Sequence, residues 1–320
     1  MPELFDALPG QEVPVSGISN GFNTLWADTP AKESRAVQLN LVLHLGRNSS
    51  AADALKQFRH TVEFARRYPC RVVVLCPDYQ EGSTVEMRAK IYGECFFGKS
   101  KSDTRCVEFV ILHYTMAARE HLENQVSVCL STDLPLYYWA HAFAESRRIA
   151  DYAYLLTRSK RVLFDSAIAP PDTFSYPWPN QSAVRDLAYT RTLPLRQNLG
   201  QFLSRYVPAE IAAGLQTVEL KHDANYGAEA ACLLGWVRKG LVRGGCQLAS
   251  GAFVVKQAKC EGSFELQFGY ADPKKSFHWQ ANLTKNCSEF TGDLGHGRTT
   301  LSMGAHLLAT ESALAEAMFF

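Results

Sequence analysis

No apolar run in this chain approaches the ~20 residues that a membrane-spanning helix needs. The runs that exist, such as Val72 to Cys76, are strand-sized. The opening MPELFDALPGQEVPV has neither a basic start nor an apolar stretch, so no secretory signal is read and a cytoplasmic protein is expected. Nine cysteines include no CxxC pair, and nine is odd. That argues against a disulfide framework and against a zinc ribbon. Buried, reduced thiols are expected, as for Cys76 in VVVLCPD. Nine histidines show no HxH or HExxH spacing, so no metal site is expected. Net charge is scarce too: 33 Lys and Arg against 32 Asp and Glu leave +1. Nucleic-acid binders carry a basic surplus, so none is expected here. With no recognisable set of nucleophile, base and metal and no dinucleotide fingerprint, neither catalysis nor a cofactor is expected.

What is present is an ordinary globular composition, 47% hydrophobic and 20% charged over 320 residues, with room for two domains. Residues 1 to 35 are punctuated by Pro and Gly, and Trp26 is suited to anchor this arm. The alternating run Ala36 to Leu45 reads as a strand. Ser49 or Ser50 can cap a helix from Ala51 to Tyr68, ended by Pro69. Arg71 to Cys76 reads as a strand buried on both faces. Strands then follow at Lys90 to Phe97, Cys106 to Tyr114, Leu136 to Ala140 and Arg161 to Asp165. Helices are expected at Ala117 to Leu130 and Ser146 to Thr157. The alternation predicts an α/β fold with a mostly parallel sheet and flanking helices, in a Rossmann-like domain over residues 1–170. The stretch from Ala169 to Ser182 holds four prolines in fourteen residues, and 171–182 reads as a linker. A smaller α+β domain is expected over 183–320. It would start with a helix from Ala183 to Tyr206, kinked or split by Pro194. A strand Thr217 to Lys221 and a helix Ala228 to Leu241 come next. Strands follow at Ala252 to Gln257, Ser263 to Tyr270 and Ser276 to Leu283, the last two as an antiparallel hairpin. Glycine-rich loops then lead to a terminal helix, Ala305 to Met318.

Gly93-Glu-Cys-Phe-Phe-Gly98-Lys99-Ser100 satisfies the P-loop formula. A P-loop turns from a strand straight into a helix whose first amides hold phosphate. Here only five residues precede the next strand, so a strand followed by a polar hairpin loop is the better reading. Ligands of open parallel sheets bind beyond the carboxyl ends of the strands. Asp78, Asp165 and Ser166 follow strands there. Asp165 can meet a sugar hydroxyl or a basic residue, or cap the turn leaving its strand. Arg191 and Arg196 offer guanidinium forks either to a carboxylate or phosphate ligand, or to an ion pair with Asp186 or Glu210. Tyr137, Tyr138 and Trp139 run consecutively, so they divide between the two faces of a sheet. One is core, and another is free to pack on a helix or meet a partner.

STDLPLYYWAHAF, SKRVLFDS and DLAYTRTLPLRQNLGQFL, between Leu130 and Phe202, resemble the glucose-6-phosphate dehydrogenase assembly protein family, OpcA. The matching elements are the Asp133-Leu134-Pro135 corner, Tyr137-Tyr138-Trp139, the Val162-to-Ser166 strand end, and Asp186…Thr190-Arg191…Pro194…Arg196. Tyr138-Trp139 stands where paired tryptophans are common in the family, and Tyr189 and Leu195 where tryptophans often flank the last motif. The resemblance implies a non-catalytic partner of glucose-6-phosphate dehydrogenase that promotes its active oligomer or tunes its affinity, and so controls NADPH supply through the oxidative pentose phosphate pathway. The partner-binding or motif candidates are then Asp133, Pro135, Tyr138, Trp139, Asp165, Ser166, Asp186, Arg191 and Arg196. The other reading is an enzyme or sensor that holds a sugar phosphate at the carboxyl edge of the parallel sheet.

Thioredoxin is a candidate partner through the same resemblance, since cyanobacterial members are linked to thioredoxin-dependent control. If the hairpin closes around Asp272 to Lys275, Ala271 faces Ser276, and counting outward sets Cys260 opposite Cys287. That register makes these two cysteines the redox candidates, either reduced or joined by a small local shift.

Overall fold

The computed structural model describes residues 4–27, 37–79, 84–97 and 104–320. It divides into two compact units. The first runs to Leu187 and includes Leu314–Phe320; the second is Ala188–Ala313. The proline-rich stretch 171–182, expected as a linker, lies inside the first unit. Thr173 and Trp178 are buried there, and the Trp178 indole N–H donates to the Thr173 carbonyl at 2.7 Å. Prolines exclude the segment from helix and ladder, not from a core.

The first unit has eight strands: β1 (Gln11–Val13), β2 (Leu39–Leu45), β3 (Cys70–Asp78), β4 (Met87–Phe97), β5 (Thr104–Thr115), β6 (Leu136–His141), β7 (Ser159–Phe164) and β8 (Val184–Asp186). Their order is β1-β4-β5-β3-β2-β6-β7-β8. From β5 to β8 every neighbouring pair is parallel. At the other edge β4 pairs antiparallel with both β5 and β1. The sheet is therefore mixed, and the expected parallel arrangement holds only for its middle and one side. The reason is local. The β4-to-β5 connection is too short for the crossover that a parallel pair requires.

Alternation along the strands builds two cores. Leu41, Leu43, Val72, Val74, Tyr137 and Trp139 pack with the helix Ala51–Arg67 and with Leu314 and Met318. Val42, Val73, Tyr138 and Val162 pack on the other face with the helices Arg119–Cys129, Ser146–Ala150 and Ala153–Arg158. Ser50 caps the first of these helices, its hydroxyl accepting from the Asp53 amide at 3.1 Å. Trp26 anchors the N-terminal arm: its indole N–H donates to Glu108 at 3.1 Å. A β-carbon at Gly93 would come within 2.5 Å of the Trp26 ring, so the first glycine of the P-loop lookalike serves packing. Gly93 to Phe97 lie on β4, paired with β5; Gly98, Lys99 and Ser100 fall outside the described residues.

The second unit holds β9 (Leu215–Asp223), β10 (Phe253–Ala258), β11 (Ser263–Tyr270), β12 (Ser276–Asn282), β13 (Cys287–Asp293) and β14 (Thr299–Met303), in the order β10-β9-β11-β12-β13-β14. Only β9 and β10 are parallel, joined through the helix Gly227–Arg243. The others are antiparallel, with alternate residues buried, as a sheet covered on one face requires. The expected glycine-rich loops contain β13 and β14. On β13 the buried positions are Ser288, Phe290 and Gly292, so a single apolar residue marks the inward face. The expected helix 183–206 is instead strand β8 and two helices, Leu187–Arg191 and Leu193–Leu203, divided at Thr192 with Pro194 in the first turn of the second.

The cysteine expectations change. Cys95 and Cys106 face each other across β4 and β5 and are disulfide-bonded. Only the folded register reveals this pair, since the residues are 11 apart with no motif around them. Cys260 and Cys287 are free and exposed. The pairing of β11 with β12 sets Phe268 opposite Phe277, two residues from the expected register, and Cys287 opens β13 opposite Asn282. The strand β12 thus separates β11 from β13, and Cys260 does not face Cys287. Non-reducing peptide mapping is expected to recover a Cys95–Cys106 crosslink while Cys260 and Cys287 alkylate. Replacing both Cys95 and Cys106 with Ser should cost roughly 3 kcal/mol of stability, the chain-entropy value for so short a loop; an unchanged denaturation midpoint would contradict this.

Candidate functional site

The parallel strands β2, β3, β5 and β6 end together, and the residues that follow them form the carboxyl edge of the first sheet. Gly46 follows β2. A β-carbon there would meet the Ala142 carbonyl oxygen at 2.5 Å, so the two loops can touch only because this residue is glycine. The Gly46 amide donates to the His141 carbonyl at 2.7 Å and the Asn48 amide to Ala142 at 3.0 Å. Arg47 sits between these bonds with its backbone fixed and its side chain exposed.

Two cavities open at this edge and share Arg47 and Tyr79. One, of about 320 Å³, is bordered by Arg47, Tyr79, Arg119, Glu145, Arg148 and Tyr152. The other, of about 540 Å³, is bordered by Gly46, Arg47, Ser49, Ser50, Asp78 and Tyr79. Arg119 pairs with Asp151 at 2.6 Å, and Arg148 approaches Glu145 at 3.8 Å. Burial pushes the Tyr79 phenol up, and the positive charges of Arg47 and Arg148 act against that rise. Beside the second cavity His141 Nε2 meets Asp53 Oδ2 at 2.6 Å. That bond holds the Asp53 carboxyl below its usual range.

Beneath the first cavity runs a buried polar chain. His44 is fully buried, with Nδ1 2.8 Å from the Tyr138 hydroxyl and Nε2 2.8 Å from the Tyr114 hydroxyl. Tyr114 meets the Tyr152 hydroxyl at 2.7 Å, and Tyr152 borders the cavity. Burial depresses the His44 pKa to about 3, so the imidazole is neutral in the fold. At the opposite edge of the sheet Asn40 plays the matching part. Its side chain donates to the Ser131 and Leu134 carbonyls at 2.8 and 3.2 Å and accepts from the Ser131 amide at 3.0 Å. Sequence reasoning read His44 as a hydrogen-bonded core histidine, which it is, but missed Asn40 and Arg47, although a second polar residue inside the apolar run Leu39–Leu45 was a visible signal.

The residues expected from sequence do not form one site, although Ser166 meets Asp186 and the exposed Cys260 and Cys287 border one cavity of about 800 Å³ in the second unit. Asp133 and Pro135 are exposed and precede β6, at the amino edge. Tyr137, Tyr138 and Trp139 are all buried, so neither Tyr138 nor Trp139 offers a surface to a partner. Asp165 Oδ1 accepts from the Ala167 amide at 3.1 Å, the turn-capping role, and Asp186 Oδ1 accepts from the Ser166 amide at 3.1 Å. Arg191 pairs in the second unit with Glu229, at 2.6 Å from Nη2 and 3.0 Å from Nε. The sequence had suggested Asp186 or Glu210, but Glu229 stands in the first turn of Gly227–Arg243 and is 4% exposed. Arg196 lies over the Tyr189 ring at 3.9 Å and donates to its hydroxyl at 2.8 Å. Gly17-Ile18-Ser19-Asn20-Gly21 matches GxSxG, which sequence reasoning passed over. Ser19 lies within the helix Ile18–Leu25, not on a strand-to-helix turn, so the spacing makes no nucleophile elbow. Among the described residues no group of three or more His, Cys, Asp or Glu could hold a metal ion, and no helix is long and apolar enough to cross a membrane.

Two predictions follow from these buried groups. His44 binds a proton less readily folded than unfolded. Stability is therefore full above pH ~6.5 and falls by about 1.4 kcal/mol per pH unit as pH drops toward the folded value. Asp53, held low, loses its contribution only at more acid pH. Urea denaturation at pH 7 and pH 5 should show a loss of about 2 kcal/mol that His44→Gln lacks; equal losses in both proteins would refute the assignment. Arg191→Ala leaves the Glu229 carboxylate buried without its cation and should cost about 3–5 kcal/mol in the same assay.

Comparison with known proteins identifies the region. A family model described as glucose-6-phosphate dehydrogenase subunit N-terminal domain matches residues 61–176. That span runs from within the helix Ala51–Arg67 past the end of β7 and includes the loops that border the first cavity, Arg47 excepted. A curated Synechocystis sp. protein named OxPP cycle protein OpcA is 23% identical over 180 residues, 53% of this chain and 36% of that protein. The chain thus spans just over a third of the length of the curated relative it matches. Over residues 61–176 the chain is thus similar to the OpcA family of glucose-6-phosphate dehydrogenase assembly proteins.

Proposed function

We propose that this chain is a non-catalytic, cytoplasmic partner of glucose-6-phosphate dehydrogenase that favours the enzyme's active state and thereby tunes the oxidative pentose phosphate pathway. The observation that carries this reading is the family match over residues 61–176, which includes the centre of the first sheet. A partner shifts an enzyme's activity only by binding one of its states more tightly than another. Contact therefore needs exposed surface, and among the motif residues Asp133 and Pro135 have it. Val128, at the end of the helix Arg119–Cys129, is 75% exposed and lies close to them in the chain. An exposed apolar side chain flanked by polar residues suits the centre of a contact.

Mixed at micromolar concentration with the dehydrogenase of its own organism, the chain should produce a species of higher mass and change the enzyme's KM or kcat. Val128→Asp should weaken the association at least tenfold, about 1.4 kcal/mol, and leave the fold intact. No mass shift together with unchanged kinetics would end this proposal.

A further inference from the structure

The hydrogen-bond chain beneath the 320 Å³ cavity has a direction. Each tyrosine hydroxyl has one proton to give, and neutral His44 has one ring proton. Tyr138 is fully buried, and among the described residues its hydroxyl meets only His44. Its proton must therefore go to Nδ1. The imidazole then carries its own proton on Nε2 and donates it to the Tyr114 oxygen. Tyr114 in turn donates to the Tyr152 oxygen. The opposite direction would strand the Tyr138 proton in the core. Every buried donor in the chain is thus used except that of Tyr152, a residue 8% exposed. Tyr152 borders the cavity together with Tyr79, Arg47 and Arg148.

The cavity therefore presents a phenol donor backed by a fixed proton chain and two guanidinium donors. Among the described residues Arg47 has no ion-pair partner, and the Arg148–Glu145 approach of 3.8 Å is long for a hydrogen bond. Glu145 and Asp151 border the same space; Asp151 is occupied by Arg119. Glu145 is placed to accept from hydroxyl groups of a ligand. We propose that this cavity binds the phosphate monoester of a small polyol, its phosphate oxygens accepting from Tyr152, Arg47 and Arg148. An oxyanion accepts at every oxygen and matches planar guanidinium forks. The volume, about 320 Å³, is at the small end of ligand sites, and the carboxyl ends of parallel strands are where open sheets hold ligands. This goes beyond the partner role and does not rest on it, because binding is measured on the chain alone.

Calorimetric titration of the purified chain with inorganic phosphate and with a hexose phosphate tests it. The hexose phosphate should bind more tightly than inorganic phosphate. Arg47→Gln and Arg148→Gln should each weaken it at least tenfold, the loss of one charge-assisted bond. Arg147→Gln, at an exposed neighbour that does not border the cavity, should leave it unchanged. Nitrogen NMR should find His44 protonated on Nε2, a readout that needs no ligand. No binding at about 10 mM hexose phosphate, a weak limit for a specific site, overturns the proposal. So does binding that survives both arginine variants, binding no tighter than that of inorganic phosphate, or a proton on Nδ1.

Discussion

All seven residues of the strand Leu39–Leu45 are buried, and five of them are leucine or valine. The other two, Asn40 and His44, must find every hydrogen bond inside the protein, because no water reaches them. Each does so at a different edge of the sheet. Asn40 binds the backbone that leads into the strand Leu136–His141, and so fixes the amino edge. His44 binds Tyr114 and Tyr138 on other strands, and so fixes the carboxyl edge. The same apolar strand therefore sets the register of its neighbours through the two polar groups that it cannot leave unsatisfied.

That constraint gives the first unit two edges with different chemistry. The amino edge carries Asp133 and Pro135 on exposed loop, suited to contact between proteins. The carboxyl edge carries arginines and phenols around concave space, suited to a small anion. The second unit is built on a different rule. Its sheet is covered on one face, and its polar anchor is the buried pair of Arg191 with Glu229.

Among the sequence motifs, the strand-end residues turned out to be structural. Asp165 and Asp186 hold the turn that leaves the strand Ser159–Phe164, and Arg191 neutralises a carboxylate in its own unit. Motif residues of this kind keep the scaffold in place, and the surface available for recognition lies beside them.

The alternation of strands and helices, the buried strand Cys70–Asp78, the cap at Ser50 and the antiparallel hairpin were legible in the sequence, because each follows from local periodicity or turn chemistry. The paired strands Cys287–Asp293 and Thr299–Met303 were not, since their inward positions are filled by serine and glycine as well as phenylalanine. Nor were the partners of distant groups. Which carboxylate Arg191 meets, which cysteine faces Cys106 and which phenols satisfy His44 are set by strand order and register. Those depend on how many residues each loop consumes before its strand pairs: the chain turns after Asn282, so Cys287 opens a strand of its own instead of continuing the hairpin opposite Cys260. The sequence by itself determined the elements and which residues could not be left alone in the core. Only the tertiary structure decided who met them, because hydrogen bonds and ion pairs form across space between residues far apart in the chain.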